Sequence, residues 1–205
     1  MAVNAKEVQE LRKISGAGMM ECKSALSESK GNINEAFKIL REKGIAKAEK
    51  KSSRDAKEGI IGLKVDQNKA TIVEVNSETD FVSRNSEFHK LVRSILNISI
   101  NNSAEIDKTK IESKELINDA VGKIGENIVL KRISYIEGNI YSYVHNSVSD
   151  GLGKIGVLLN IDTDSNDIAE IGKNICMHIA ALNPKSISQN DLDVDLINSE
   201  KQIIM

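Results

Sequence analysis

The fold is decided where Ile60-Ile61-Gly62-Leu63-Lys64-Val65 is followed, after Asp66-Gln67-Asn68-Lys69, by Ala70-Thr71-Ile72-Val73-Glu74-Val75. Both runs are rich in β-branched side chains and the residues between them are turn formers, so the segment reads as a β-hairpin. Further along, Phe88, Leu91, Val92, Ile95 and Leu96 recur on one side of a helix. Hairpins interleaved with helices favour an α+β sandwich over a doubly wound parallel sheet.

Beyond that helix, residues 101–114 are polar and read as a loop or excursion, and Leu116 to Ile124 as a helix. Ile128 to Ile136 and Ile140 to Val144 read as a second strand pair around Gly138-Asn139, and Val157 to Ile161 as a further strand. Residues 166–182 read as a helix with Ile168, Ile171, Ile175, Ile179 and Leu182 on one face. Another helix starts near Val194.

Before the hairpin, residues 4–44 read as three short helices. Val8, Leu11 and Ile14 form one face, and Gly16-Ala17-Gly18 breaks the first helix. Met19, Cys22, Ala25 and Leu26 follow at helical spacing. Asn32 is placed to cap the third helix, with Glu35 at the capping-box position. Ile33, Ala36, Phe37 and Leu40 supply its apolar face, and Gly44 is a natural stop. Three helices this short make a compact bundle of the ubiquitin-associated type. Residues 45–58 mix Lys47, Lys50, Lys51, Arg54 and Lys57 with Glu49, Asp55 and Glu58. They read as a solvated linker, helical or flexible; a phosphate-binding basic arm is the sharper alternative, weakened by the mixed signs.

The patterns divide the chain into an N-terminal three-helix domain over 1–45, a charged linker over 46–58, an α+β region over 59–139, and residues 140–205, where the order of hairpin and helices begins weakly to recur and a further helical segment starts.

Composition excludes several classes. The chain of 205 residues is 40% hydrophobic and 28% charged, as in ordinary globular proteins. A net charge of −2 argues against a general nucleic-acid binder. No apolar run is long enough to span a membrane, and the polar N-terminus lacks the apolar centre of a secretory signal, so a cytoplasmic protein is expected. Cys22 and Cys176 fall in helical patterns without metal-ligand spacing. The three histidines, His89, His145 and His178, lie in separate elements; His145 reads as exposed and His178 as packed or hydrogen-bonded. No catalytic, metal or cofactor site is expected. Gly151-Leu152-Gly153-Lys154-Ile155-Gly156 matches a dinucleotide-binding pattern, but its glycines lead into a strand rather than a helix N-terminus, so a tight hairpin connection is the better reading.

Two segments stand out as binding candidates. Thr79-Asp80-Phe81-Val82 follows the hairpin where its core pattern has stopped. Phe81 is one of three Phe in a chain with no Trp and 3% aromatic residues. An aromatic beside a carboxylate at an element end is placed to anchor a partner. Phe81 folded back as a lid on the local core is the simpler reading of this segment alone. Met19 and Met20 are the second candidate. Adjacent residues of a helix cannot both face one core, so one is expected to pack and the other to be exposed, where a flexible thioether suits an adaptable surface. Lys23 places a charge one turn on.

Several blocks occur together: Leu11-Arg12-Lys13-Ile14-Ser15-Gly16-Ala17-Gly18-Met19-Met20-Glu21-Cys22-Lys23-Ser24-Ala25-Leu26, Gly31-Asn32-Ile33-Asn34-Glu35-Ala36, Leu40-Arg41-Glu42-Lys43-Gly44, Thr79-Asp80-Phe81-Val82 and Lys123-Ile124-Gly125-Glu126-Asn127-Ile128. In this order and spacing they closely resemble the translation elongation factor Ts family, from about Val8 to the chain end. The resemblance implies a guanine-nucleotide exchange factor that works without covalent chemistry on elongation factor Tu in its GDP-bound and nucleotide-free forms. It implies that Arg12, Met19, Met20 and Lys23 belong to an N-terminal contact, and Asp80, Phe81, Ile124, Gly125 and His145 to a core contact. It further implies that Thr79 to Val82 disturbs the magnesium and β-phosphate site of the GTPase. By the same resemblance, residues 1–45 dock the GTPase, and 59–139 and 140–205 are core subdomains, the second of them partial. Full-length members continue through a helical hairpin, the rest of the second core subdomain and a last GTPase-binding helix, so residues 145–205 are expected to be incompletely covered and open to homo-oligomer formation. No membrane and no direct nucleic-acid partner is expected. The rivals are a peptide-binding module using the bundle and an RNA-binding module using Lys47 to Lys57, whose affinity would fall steeply with salt.

Overall fold

The protein is described by a computed structural model over residues 3–103, 105–163 and 168–204. Its N-terminal bundle consists of α1 (Ala5–Ser15), α2 (Met19–Glu28) and α3 (Ile33–Lys51). Val8, Leu11, Cys22, Ala25, Leu26 and Ala36 fill its interior. Gly16 ends α1 in the left-handed conformation at φ 67°, its N–H bonded to the Arg12 carbonyl at 2.8 Å. Asn32 caps α3 as expected, its side chain accepting from the Glu35 N–H at 3.1 Å.

Two readings of this region need correction. Ile14 is exposed rather than part of the bundle core. Gly44 does not end α3, which continues through the charged stretch to Lys51. The reason is tertiary. α3 packs across the helix that carries Gly122, where a Cβ on Gly122 would stand 3.6 Å from the Gly44 Cα, an ordinary van der Waals contact. Ala48, inside the supposed linker, is buried in the main core.

The main sheet holds β1 (Glu58–Asp66), β2 (Lys69–Ser77), β3 (Ile128–Glu137) and the short β5 (Leu152–Gly153), in the order β3-β2-β1-β5 and antiparallel throughout. The hairpin is in the expected register, Ile60 opposite Val75 and Asp66 opposite Lys69. α4 (Ser86–Asn101) and α5 (Ile106–Ile124) cover one face of it. Every residue expected on the apolar side of α4 is buried: Phe88, Leu91, Val92, Ile95 and Leu96. α5 begins at Ile106, nearly three turns before Leu116, in the stretch read as a loop. Its first half is polar because it buries small side chains, with the Ser113 hydroxyl bonded to the Thr109 carbonyl at 2.6 Å.

β4 (Ile140–His145) pairs with β6 (Ile155–Asn160) and not with β3, which pairs with β2. Gly138-Asn139 turns the chain from one sheet into another instead of closing a hairpin. The glycine-rich segment leads into β6, and Gly156 seats that strand against Ile61 and Ile72, where a Cβ would come within 2.6 and 2.7 Å of their side chains.

α6 (Ile168–Leu182) covers this second sheet. The start expected at residues 166 and 167 lies outside the described residues. The helix buries Gly172 and Cys176 against the sheet; of the expected apolar face Ile168 and Ile179 are half-buried, while Ile171, Ile175 and Leu182 are exposed. Tyr141 stands against Gly172, and that close approach rotates the larger side chains outward. His178 is exposed, contrary to the packed reading. α7 (Val194–Ile204) starts where the sequence placed it.

Candidate partner-binding site

β2 ends at Ser77, and the chain turns through Glu78 and Thr79 into a short 3-10 helix, Asp80–Arg84. Two loops meet here. The Glu126 carboxylate accepts the Thr79 N–H at 2.9 Å and the Thr79 hydroxyl at 2.6 Å. In return the Glu78 carboxylate accepts the Asn127 N–H at 2.6 Å, while the Asn127 side chain donates to the Arg54 carbonyl at 2.7 Å. Hydrogen bonds to ionised carboxylates are short and strong. The reciprocal pair joins the start of the 3-10 helix to the loop that follows α5.

Phe81 projects from this clasped turn with 82% of its surface exposed. The lid reading is therefore wrong: Phe81 covers nothing. The reason lies in the neighbouring residue, for Val82 occupies the core position and consecutive residues of so tight a helix point in different directions. Asp80, next to Phe81, is exposed as well. The far end of the turn is held too. The Ser83 hydroxyl donates to the Asp80 carbonyl at 2.5 Å, the Asn85 N–H to the Val82 carbonyl at 2.9 Å, and His89 Nε2 lies 2.7 Å from the Ser83 carbonyl.

Ile124 packs partly buried against the main core, and Gly125 ends α5 in the left-handed conformation at φ 88°. The Lys51 ammonium donates to the Gly125 carbonyl, tying the end of α3 to this loop. Lys123 is the link to the bundle. Its side chain lies so close to Gly16 that a Cβ there would come within 2.8 Å of it. On its other side Lys123 contributes to holding the Glu87 carboxyl below its ordinary value, behind the hydrogen bond from Lys90 that is the main cause.

On the bundle, Arg12, Met19, Met20 and Lys23 are all exposed. Neither methionine packs inward: Met19 is 54% and Met20 73% exposed, because Cys22, Ala25 and Leu26 already fill the α2 face. Glu21 fixes the start of α2. It accepts the Gly18 N–H at 3.2 Å and is ion-paired with Lys47, whose hydrogen bond is the main cause that holds its carboxyl below its ordinary value. Met20 and Lys123 both line a groove of about 520 Å³ between bundle and core, together with Ile14, Phe37 and Leu40.

Thr79 to Val82 and Ile124-Gly125 are thus brought together through the clasp, and the α1–α2 turn reaches the same loop through Lys123. Arg12 and Lys23 share the bundle surface without lining the groove. His145 stands apart on β4, exposed, with the Tyr143 hydroxyl 3.1 Å from its Nδ1. It lies at the same end of the main sheet: Lys154 donates from its backbone to the His145 carbonyl at 3.1 Å and from its ammonium to the Gly59 carbonyl at 3.0 Å, and Gly59 pairs with Asn76.

Glu78, Glu126, Asn127, His89 and Lys123 complete this surface. Lys123, Glu126 and Asn127 lie in one of the blocks that carry the family resemblance but were given no role from the sequence, and Glu78 and His89 were given none either. In the residues themselves the signal was that polar side chains cluster at both element ends. Among the described residues no group of three or more His, Cys, Asp or Glu is placed to hold a metal ion, and no helix is long and apolar enough to cross a membrane. The site offers an exposed aromatic, an adjacent carboxylate and a braced backbone, which suits insertion into another macromolecule.

The sequence profile of the family described as Elongation factor TS matches residues 78–205. Elongation factor Ts of Paracoccus denitrificans (strain Pd 1222) is 44% identical over 211 residues, covering 100% of this chain and 71% of the relative. That of Bartonella tribocorum (strain CIP 105476 / IBS 506) is 44% identical over 216 residues, covering 99% and 70%. That of Brucella ovis (strain ATCC 25840 / 63/290 / NCTC 10512) is 43% identical over 216 residues, covering 100% and 71%. These matches define a translation elongation factor of protein biosynthesis. The chain belongs to the elongation factor Ts family.

Proposed function

We propose that this chain is a guanine-nucleotide exchange factor that binds elongation factor Tu carrying GDP and promotes GDP release by disturbing the magnesium and phosphate site. It performs no covalent chemistry. Asp80 and Phe81 enter the nucleotide side of the partner. Ile124 and Gly125 flank them, His145 adds a contact at the same sheet end, and Arg12, Met19, Met20 and Lys23 dock the bundle.

The physics is linkage. A factor that binds the nucleotide-free GTPase more tightly than the GDP form weakens GDP by the same ratio. A bias of ~10⁴ needs about 5.5 kcal/mol of differential contact. Burying one phenylalanine supplies roughly 1.5–3 kcal/mol. Phe81 is therefore insufficient alone, and the rest must come from the metal site. Magnesium compensates the phosphate charge, and displacing it leaves the nucleotide more weakly held. The Asp80 carboxylate adds a negative charge beside Phe81, which disfavours a nearby phosphate.

The observation that carries this reading is the exposed Phe81 on a turn clasped at both ends. The reading of residues 45–58 as a nucleic-acid arm draws less support, because Lys47, Lys51, Arg54 and Lys57 are engaged with Glu21, Gly125, Glu78 and Asp55 respectively. The experiment is to add the chain to elongation factor Tu preloaded with fluorescent GDP, chased with unlabelled GDP. A saturable acceleration of release supports the proposal. A release rate unchanged at every concentration contradicts it.

A further inference from the structure

We propose that His89 is a positioning residue for exchange: its Nε2–H holds the C-terminal end of the 3-10 helix and thereby fixes the direction in which Phe81 projects. The inference rests on the exchange reading above.

The last carbonyls of a helix have no intrahelical donors and need partners from outside it. In Asp80–Arg84 the Val82 carbonyl receives the Asn85 N–H, and the Ser83 carbonyl lies 2.7 Å from His89 Nε2. A carbonyl oxygen only accepts, so Nε2 is the donor, whichever state the rest of the ring adopts. His89 itself is rigidly placed. It lies one turn into α4, its backbone N–H bonded to the Asn85 carbonyl at 3.0 Å, between the buried Phe88 and the α4 surface. Asn85 starts that helix, its side chain accepting the Glu87 N–H at 2.8 Å.

Phe81 has no packing of its own to orient it, so its direction is inherited from the backbone of its turn. Upstream, that backbone is held by the Thr79–Glu126 bonds; in the middle, by the buried Val82. Downstream, the buried Ser83 bonds within the turn to the Asp80 carbonyl, and the side chain that holds the turn from outside it is His89. Releasing the Ser83 carbonyl leaves Val82 in the core but lets the turn rotate about it. A probe that must enter a partner then searches more orientations before it inserts. Such a defect appears in the maximal rate more than in the affinity, because docking by the bundle is untouched.

The test compares His89→Gln, whose amide N–H can donate to the same carbonyl, with His89→Glu, whose ionised carboxylate cannot and instead faces the carbonyl with like partial charge. His89→Leu is a third variant, lacking any polar group. Each is titrated as the full chain into elongation factor Tu carrying fluorescent GDP. The expected result for His89→Glu and His89→Leu is a maximal release rate about tenfold lower, the loss of one such hydrogen bond, with half-saturation moved less than about twofold. His89→Gln should retain most of the wild-type rate. Amide hydrogen exchange of residues 80–85 in the free chain should be faster in the Glu variant than in the Gln variant, a readout that requires no partner. Equal maximal rates in wild type, Gln and Glu variants would overturn the proposal, as would equal losses in Gln and Glu. If His89→Leu fails to fold, the Gln and Glu pair decides alone. No acceleration by wild type would instead overturn the exchange reading, while the hydrogen-exchange comparison would still judge the brace.

Discussion

Thr79 gives Glu126 two hydrogen bonds, its N–H at 2.9 Å and its hydroxyl at 2.6 Å, across 47 residues of sequence. With the Asn127 N–H donating to Glu78 at 2.6 Å, the turn bearing Phe81 and the loop after α5 are fastened in both directions. Thr79→Val keeps the shape and removes the hydroxyl, leaving a partly buried carboxylate short of a donor. A stability loss of about 1.5 kcal/mol or more in urea unfolding is expected. Faster amide exchange at residues 78–82 should accompany it. An unchanged denaturation midpoint would show that the clasp is not holding the turn.

Gly44 gives a prediction of the opposite sign. It lies inside α3, and a Cβ added there meets nothing within 4 Å. Glycine within a helix costs roughly 0.5–1 kcal/mol relative to alanine. Gly44→Ala should therefore raise stability by about that amount, read as an increased urea midpoint with unchanged slope. Destabilisation would mean that α3 ends at Gly44 after all.

Gly44 also shows where the sequence stopped being legible. Locally it carries every sign of a helix stop. What carries α3 past it is the crossing with Gly122, a contact between segments distant in sequence. The same holds for Gly138-Asn139, a turn signal between two strand-like runs whose strands join different sheets. The hairpin of β1 and β2 and the apolar face of α4 were legible because each is set by its own periodicity. At the site, the position of Asp80 and Phe81 at an element end could be read directly. Glu126 and His89 could not, since a side-chain bond to a distant backbone atom leaves no pattern in the sequence.

The ion pair of Glu21 with Lys47 makes the α2–α3 contact pH-sensitive. The folded carboxyl is held below its ordinary value, chiefly by the hydrogen bond from Lys47. The unfolded chain therefore binds more protons in the acidic range. The contribution is fully present above the unfolded value and is lost as pH falls through the folded one. Both side chains are substantially exposed, so the pair is worth only about 0.2–1 kcal/mol. Glu21→Gln should lower stability by that amount near neutrality, and the difference should vanish in acid once the folded Glu21 carboxyl is itself protonated. A difference that persists undiminished into acid would assign the effect to packing or to the Gly18 cap instead.

The most direct test of the account is to compare Phe81→Ala with Val82→Ala, measuring thermal stability and stimulated GDP release from elongation factor Tu side by side. Phe81 is exposed and Val82 buried in the main core. Phe81→Ala should change stability by less than about 0.5 kcal/mol, as surface substitutions do. It should nevertheless lower the maximal release rate at least tenfold, the equivalent of ~1.4 kcal/mol of lost contact. Val82→Ala should cost about 1–3 kcal/mol of stability through the cavity it leaves, with a smaller effect on release at temperatures where it remains folded. A Phe81→Ala chain that releases GDP as fast as wild type would contradict the account, and so would one whose loss of release is matched by a loss of fold.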